Sequence, residues 1–151
     1  MPSENLPSYK KANLQMVAYR RIQSAVSSLL SRFHLNTTQW IMLGLMSEAS
    51  NGLRVTDMAR ALQVEMPLIT TTAQTLISAG LMSSVAHARD KRAKMLTLTP
   101  KGKERVSEIE TYLKNGLDKI EQDVDPRDLK VYFKMLQKIA SNASSVSRSP
   151  A

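Results

Sequence analysis

The stretch from Thr56 to Thr99 constrains the fold of this chain most, because two short helical segments are followed in it by two short strand-like segments. The predicted helices are Asp57–Leu62 and Met66–Ala79, and the three residues Gln63-Val64-Glu65 between them give the spacing of a helix-turn-helix. Gly80 follows the last periodic apolar residue, where a helix end in the left-handed conformation favours glycine. The spacing therefore predicts a helix pair that ends at a glycine.

A hairpin with a basic loop is predicted directly after the helix pair. Its strands are Leu81–Val85 and Met95–Leu98. The loop between the strands carries three cations and one acid, which are Arg89, Asp90, Lys91 and Arg92. We call this hairpin, residues 81–98, the wing. A helix pair followed by a wing is a winged helix-turn-helix, whose usual role is to hold duplex DNA.

Three short motifs in this stretch match a known family. They are Leu76-x-x-x-Gly80-Leu81, Asp90-x-Arg92 and Leu98-Thr99-x-x-Gly102. With them the chain resembles the MarR family of bacterial transcriptional regulators, and the segment Leu35–Leu43 and the helical C-terminal third extend the resemblance over nearly the whole sequence. The resemblance implies that Arg92 contacts DNA and that Asp90 braces it or a neighbouring cation. It also implies a mainly α fold with a two-stranded wing and terminal helices that form a dimer.

The positive charge of the chain is concentrated on the same stretch. The formal net charge is +8, and residues 54–105 carry nine Lys and Arg against four Asp and Glu. Residues 106–151 carry seven of each sign. A clustered basic surface is the electrostatic footprint of phosphate binding. The alternative is a generally basic, solvated surface.

The composition excludes several classes of function. The chain contains no cysteine, so it has no disulfide framework, zinc ribbon or thiol redox sensor. No apolar run approaches membrane length and no signal peptide opens the chain, which predicts a cytoplasmic protein. His34 and His87 are far apart without neighbouring ligand types, so we expect no metal site. No phosphate-binding loop, nucleophile constellation or carboxylate pair indicates an enzyme, and no cofactor is expected.

Helices are predicted on both sides of the helix-turn-helix from apolar residues at helical spacing. Asn36-x-x-Gln39 resembles a capping box, and Pro100 fits the first turn of a helix. The predicted segments are 9–33, Thr37–Glu48, Lys101–Asp123 and Arg127–Ala143, followed by a disordered tail at 144–151. We expect one domain with a DNA-binding core at about 37–99 and a dimerisation region made of about 9–35 and 101–143.

The apolar stripes of the first and last helices need a covering surface. They could pack on one another within a monomer, or they could interdigitate with a second subunit, as the resemblance implies. A two-fold dimer would place its two recognition helices about 34–36 Å apart on a palindromic site. The family resemblance also implies that a small aromatic or phenolic effector binds between the dimer arms and the DNA-binding core and releases the DNA.

The second helix of the pair has an outward face without charges. At 100° per residue, its inward face consists of Ile69, Ala73, Leu76 and Ile77. The outward face consists of Pro67, Thr71, Gln74, Thr75 and Ser78, with Thr70 at its edge. Gln can bond bidentately to adenine, and Thr offers a hydroxyl and a methyl to thymine. A face that contacts bases and an ordinary solvated face are the two interpretations.

The chain departs from the family within this helix, since many members carry Arg where Thr71 stands. Phosphate contacts are therefore expected from Arg54, Arg60 and the wing. The predicted DNA-binding residues are Arg54, Pro67, Thr70, Thr71, Gln74, Thr75, Arg89, Asp90, Lys91, Arg92 and Lys94. These residues predict a sequence-specific transcriptional regulator, a repressor of a palindromic operator. The alternative is a winged-helix protein-interaction module that does not recognise bases.

Overall fold

The computed structural model describes residues 6–87, 89 and 94–146, so the predicted site residues Asp90, Lys91 and Arg92 lie outside its described part. The described part is mainly helical, as predicted. Its elements are α1 (Ser8–Leu30), α2 (Thr37–Glu48), β1 (Leu53–Arg54), α3 (Val55–Leu62), α4 (Met66–Ser78), β2 (Met82–Ala86), β3 (Lys94–Leu98), α5 (Pro100–Ile120) and α6 (Pro126–Val146). A 3₁₀ turn at Ser31–Phe33 follows α1. None of the described helices is both long enough and apolar enough to cross a membrane.

The chain forms two compact units, Met1–Gly116 and Leu117–Ala151. The first unit contains the helix pair, the sheet and most of α5. Its core consists of Met42, Leu43, Met46, Met58, Ala59, Ile69, Ala73, Leu76, Leu81, Met82, Leu96 and Val106. These residues come from α2, α3, α4, the sheet and α5, with Leu81 just before β2. Helix α4 packs against α2, α3 and β2.

The start of α2 confirms the predicted capping box. The Gln39 amide donates to the Asn36 side-chain oxygen at 2.8 Å, and the Asn36 amide donates to the Gln39 side-chain oxygen at 2.9 Å. Two backbone donors that lack partners inside the helix are satisfied in this way. The helix then buries Met42, Leu43 and Met46 against the core.

The helix-turn-helix has the predicted connection. Helix α3 ends at Leu62 and α4 begins at Met66, which leaves the three residues Gln63, Val64 and Glu65 between them. Gln63 adopts a left-handed conformation with φ of 55°, which ends α3. Pro67 lies in the first turn of α4, where a missing backbone N–H has no cost.

Strands β2 and β3 form the predicted two-stranded wing, and a third strand, β1, extends the sheet. The strand order is β1-β3-β2, and all pairs are antiparallel. The additional strand β1 pairs Leu53 with Leu96 and Arg54 with Met95. Two residues are too few to give a periodic pattern, so the sequence could not indicate a strand that forms only through its tertiary partner.

The C-terminal helices differ from the predicted ranges at their ends. Helix α5 ends at Ile120, three residues before the predicted Asp123, which has a φ of 63°. Helix α6 begins at Pro126 and continues to Val146, so residues 144–146 are helical rather than part of a disordered tail. The Ser144 and Ser145 hydroxyls donate to the carbonyls of Ala140 and Asn142, which satisfies these polar side chains within the helix. Residues 147–151 lie outside the described part.

Candidate nucleic-acid interface

The outward face of α4 is exposed along its length. Its exposed residues are Pro67, Thr70, Thr71, Gln74, Thr75 and Ser78. On the opposite face Ile69, Ala73 and Leu76 are buried, whereas the predicted inward residue Ile77 is only half-buried. The sequence pattern missed one inward residue, Thr72, which is 8% exposed. No charged side chain lies on the exposed face, which therefore presents amide, hydroxyl and methyl groups to a partner.

The threonines of α4 donate their hydroxyl protons to the helix itself. The Thr70 hydroxyl donates to the Met66 carbonyl at 3.1 Å, and the Thr71 hydroxyl donates to the Pro67 carbonyl at 3.0 Å. The Thr72 hydroxyl donates to the Leu68 carbonyl at 2.7 Å, and the Thr75 hydroxyl donates to the Thr71 carbonyl at 3.2 Å. Each bond spans one helical turn. A hydroxyl that competes with the backbone for partners is thus satisfied inside the helix, which allows a run of β-branched residues to remain helical.

Three cations lie exposed on described elements of the same unit as α4. Arg54 forms part of β1 and caps the start of α3, Lys94 begins β3, and Arg60 lies on α3. The Arg60 guanidinium is 3.2 Å from the Asp57 carboxylate; the Arg60 side chain is largely exposed and that of Asp57 is 43% exposed. An exposed ion pair of this kind is weak, so it does not prevent Arg60 from binding a phosphate.

The wing loop is described at only one of its predicted DNA-binding residues. Arg89 is exposed, and its backbone amide donates to the His87 Nδ1 at 3.2 Å. The strands on either side pair Ala86 with Lys94, which sets the base of the loop. Asp90, Lys91 and Arg92 are outside the described residues, so their roles stay predictions.

The C-terminal end of α4 is held by residues of the Leu98-Thr99-x-x-Gly102 motif. The Thr99 hydroxyl donates to the Gly80 carbonyl at 2.7 Å, and the Gly102 amide donates to the same hydroxyl oxygen at 3.0 Å. Gly80 has a φ of 73°, which a residue with a side chain rarely adopts. This hydroxyl joins the helix end to the start of α5.

Two further contacts fix the same helix end. The Lys101 ammonium donates to the Ala79 carbonyl at 3.0 Å, where the helix dipole is negative. Gly102 lies so close to Leu81 that an added β-carbon would meet the Leu81 carbonyl oxygen. From the sequence we expected this motif only as a family signature. Its structural role could not be inferred because it depends on contacts between α4 and α5.

An aromatic cluster and an open groove lie on α5. The Tyr112 ring packs edge-on to Phe33 with centroids 5.4 Å apart, and the Arg32 guanidinium lies 4.9 Å from the Tyr112 centroid. The Trp40 indole donates to the Glu110 carboxylate at 2.8 Å. The groove is shallow and open, and its lining comes from α5 alone: Glu104, Ser107, Glu108, Thr111, Tyr112 and Asn115. Within the described residues, no three or more His, Asp or Glu side chains are grouped to hold a metal ion.

Solved structures with this architecture are transcriptional regulators. BldR from Sulfolobus solfataricus is 22% identical, with a TM-score of 0.80 over 89% of this chain and 94% of that one. A MarR-family regulator from Rhodococcus sp. RHA1 is 18% identical, with a TM-score of 0.81 over 91% and 96%. MepR from S. aureus, solved as a DNA complex, is 20% identical, with a TM-score of 0.76 over 87% and 96%.

No family model matches the sequence. The likeness to these structures extends over most of each chain, and it includes the helix pair, the sheet and the helices on both sides. The chain therefore has the winged helix-turn-helix fold of the MarR-family transcriptional regulators, as the three sequence motifs predict.

Proposed function

We propose that this protein is a homodimeric transcriptional regulator of the MarR type that represses transcription by binding a palindromic operator. The observation that carries the proposal is the exposed, uncharged face of α4, together with the exposed cation Arg60 on α3, which packs against α4, and the exposed cations Arg54 and Lys94 on the sheet of the same unit. Such a helix can insert into the major groove while the neighbouring cations bind phosphates. The DNA complex of MepR, which has the same fold, supports this interpretation.

The proposed DNA contacts fall into two groups. Pro67, Thr70, Thr71, Gln74 and Thr75 face the bases from α4, with Gln74 paired to adenine. Phosphates and the minor groove are contacted by cations outside this helix, and Asp90 braces the wing. These cations are Arg54, Arg60, Lys94, Arg89, Lys91 and Arg92. Base contacts determine the preferred sequence, whereas phosphate contacts determine the salt dependence.

The proposed dimer is supported by the apolar surface of α6, described within its own unit. None of its described residues is buried, although it carries Val131, Tyr132, Phe133, Met135, Leu136 and Ile139, each at least 45% exposed. Helix α1 also exposes large apolar residues, among them Tyr9, Leu14, Met16 and Tyr19. Contiguous exposed apolar surface is typical of a protein interface, and a second copy of the chain is the partner we propose.

We further propose that a small aromatic ligand releases the operator. CouR from Rhodococcus jostii RHA1, which shares this fold at 18% identity, was solved bound to p-coumaroyl-CoA. In the present chain the groove on α5 next to Tyr112 offers an aromatic surface for such a ligand. A ligand that binds the DNA-incompatible conformation more tightly lowers the operator affinity by the same ratio.

Selection of bound duplexes from a random pool tests the proposal. The expected result is a palindromic consensus whose half-sites are one helical turn apart, bound by two chains. Its affinity should exceed that for a scrambled duplex by at least about a thousandfold at the same salt concentration. If no consensus emerges and every duplex binds weakly with a steep salt dependence, the protein-interaction module is the correct interpretation.

A further inference from the structure

We propose that α4 recognises thymine through the γ-methyl groups of Thr71 and Thr75 rather than through their hydroxyl protons. This inference rests on the proposed function, because it requires that α4 enters the major groove. The preferred half-site is then rich in A·T pairs, and the thymine methyl groups of these pairs contact the helix.

The first step of the argument is the position of the hydroxyl protons. A threonine hydroxyl has one proton to donate. In Thr71 that proton is donated to the Pro67 carbonyl at 3.0 Å, and in Thr75 it is donated to the Thr71 carbonyl at 3.2 Å. Neither side chain can donate to a base without giving up its bond inside the helix.

The second step concerns what remains for a base to contact. Each exposed threonine keeps a γ-methyl group and the free lone pairs of its oxygen. The purine N7, guanine O6 and thymine O4 atoms need a donor and gain nothing from these groups, whereas adenine N6 and cytosine N4 can donate to the threonine oxygen. The only apolar group among the base edges is the C5 methyl of thymine, which a threonine methyl can contact.

The third step is the surrounding face of α4. Thr71 and Thr75 flank Gln74, and all three are exposed. An amide side chain pairs with adenine, so the three residues together match neighbouring A·T pairs. Lys and Arg, which bind guanine O6 and N7, are absent from α4. The uncharged face thus favours A·T pairs over G·C pairs through both its amide and its methyl groups.

Deoxyuridine substitution in the selected operator tests the base side of the contact. Deoxyuridine differs from thymidine only in lacking the C5 methyl group. One thymine position of the half-site is replaced at a time, and the symmetric position of the other half-site is replaced with it. At the contacted positions we expect the affinity to fall about fourfold for each methyl group removed. The same replacement outside the half-sites should change nothing. If no position in the half-site responds, the inference is refuted even though the operator itself stands.

Two matched variants test the protein side. Thr71→Val keeps a methyl group and removes the hydroxyl, whereas Thr71→Ser keeps the hydroxyl and removes the methyl group. Thr, Val and Ser have similar helix propensities, so neither change should unfold α4. We expect Thr71→Val to bind within about twofold of the wild type and to keep its preference for thymine over deoxyuridine. Thr71→Ser should bind about fourfold more weakly per half-site and lose that preference at one position.

The same pair at Thr75 should change the preference at a different position. The opposite pattern, in which the valine variant loses affinity and the serine variant keeps the thymine preference, would mean that a hydroxyl makes the contact and would overturn the inference. Failure to select any operator would instead overturn the proposed function. The two failures are therefore distinguishable.

Discussion

Substitution of Gly102 by alanine should destabilise the protein because α5 starts against the end of the recognition helix. A β-carbon at Gly102 would collide with the Leu81 carbonyl oxygen and would lie 3.1 Å from a Leu98 methyl carbon. A carbon and a carbonyl oxygen in contact are normally about 3.3 Å apart or more, so the backbone must move by roughly 1 Å. The Leu81 oxygen also accepts the Thr99 amide at 3.1 Å, so this movement disturbs a hydrogen bond as well.

The magnitude follows from two opposing effects. Overpacking against a buried group typically costs about 1–3 kcal/mol, and the upper end applies because the neighbour is backbone. Replacing glycine by alanine inside a helix contributes up to about 1 kcal/mol in the other direction. The expected net loss in the free energy of unfolding is about 2 kcal/mol. For a chain of this length, such a loss lowers the Tm by about 4–8 °C.

Gly44 provides the matched control. It lies inside α2, and a β-carbon added there meets no atom within 4 Å. Gly44→Ala should therefore raise the free energy of unfolding by roughly 0.5–1 kcal/mol. Thermal unfolding of both variants is followed by circular dichroism at one protomer concentration, because the stability of a dimer depends on concentration. A Gly102→Ala protein that melts at or above the wild-type temperature would refute the reasoning.

Three further substitutions test the proposed DNA and dimer contacts. Arg92→Ala should reduce the slope of log affinity against log salt by about 0.9 for each phosphate that Arg92 neutralises. Lys130→Ala in α6 is the control. An unchanged slope for Arg92→Ala would show that this arginine binds no phosphate. Leu136→Glu should separate the dimer into monomers in sedimentation experiments. Ser141→Glu, which makes an equal change in charge on the same helix, should leave the dimer intact. If both variants sediment as dimers, the proposed interface is contradicted. Gln74→Ala should cost roughly 1–3 kcal/mol of binding free energy at one symmetric pair of operator positions and leave the salt slope unchanged. If the wild type and Gln74→Ala have the same base preference at every position, Gln74 makes no base contact.

The features that the sequence predicted well are those set by residues close together in the chain. The capping box at Asn36 and Gln39 involves residues three apart, and both of its hydrogen bonds are present. The turn Gln63-Val64-Glu65 and the buried face of α4 also depend on local spacing. The features that the sequence did not predict depend on distant contacts or on residues without a periodic pattern. Strand β1 needs β3 as its partner, and the burial of Thr72 needs the packed core.

The candidate site was predicted in position but not in chemical detail. Helical periodicity placed Thr71, Gln74 and Thr75 on one face, and all three are exposed there. It could not show where each hydroxyl proton goes, because a threonine can donate either to its own helix or to a ligand. The structure shows the first arrangement, which favours the methyl group over the hydroxyl proton among the two groups that the sequence offered to thymine.

The residues that give the resemblance and the residues proposed to face the DNA have different physical roles. Thr99 and Gly102 determine where α4 ends and how closely α5 approaches it, through two hydrogen bonds and a space that admits no β-carbon. Thr71, by contrast, is exposed, and its own turn of helix satisfies its hydroxyl. An arginine or a threonine at this position therefore leaves the packing of the helix unchanged. In the proposed complex, Thr71 in place of the arginine that many MarR-family members carry alters the groups presented to the bases while the fold that presents them is kept.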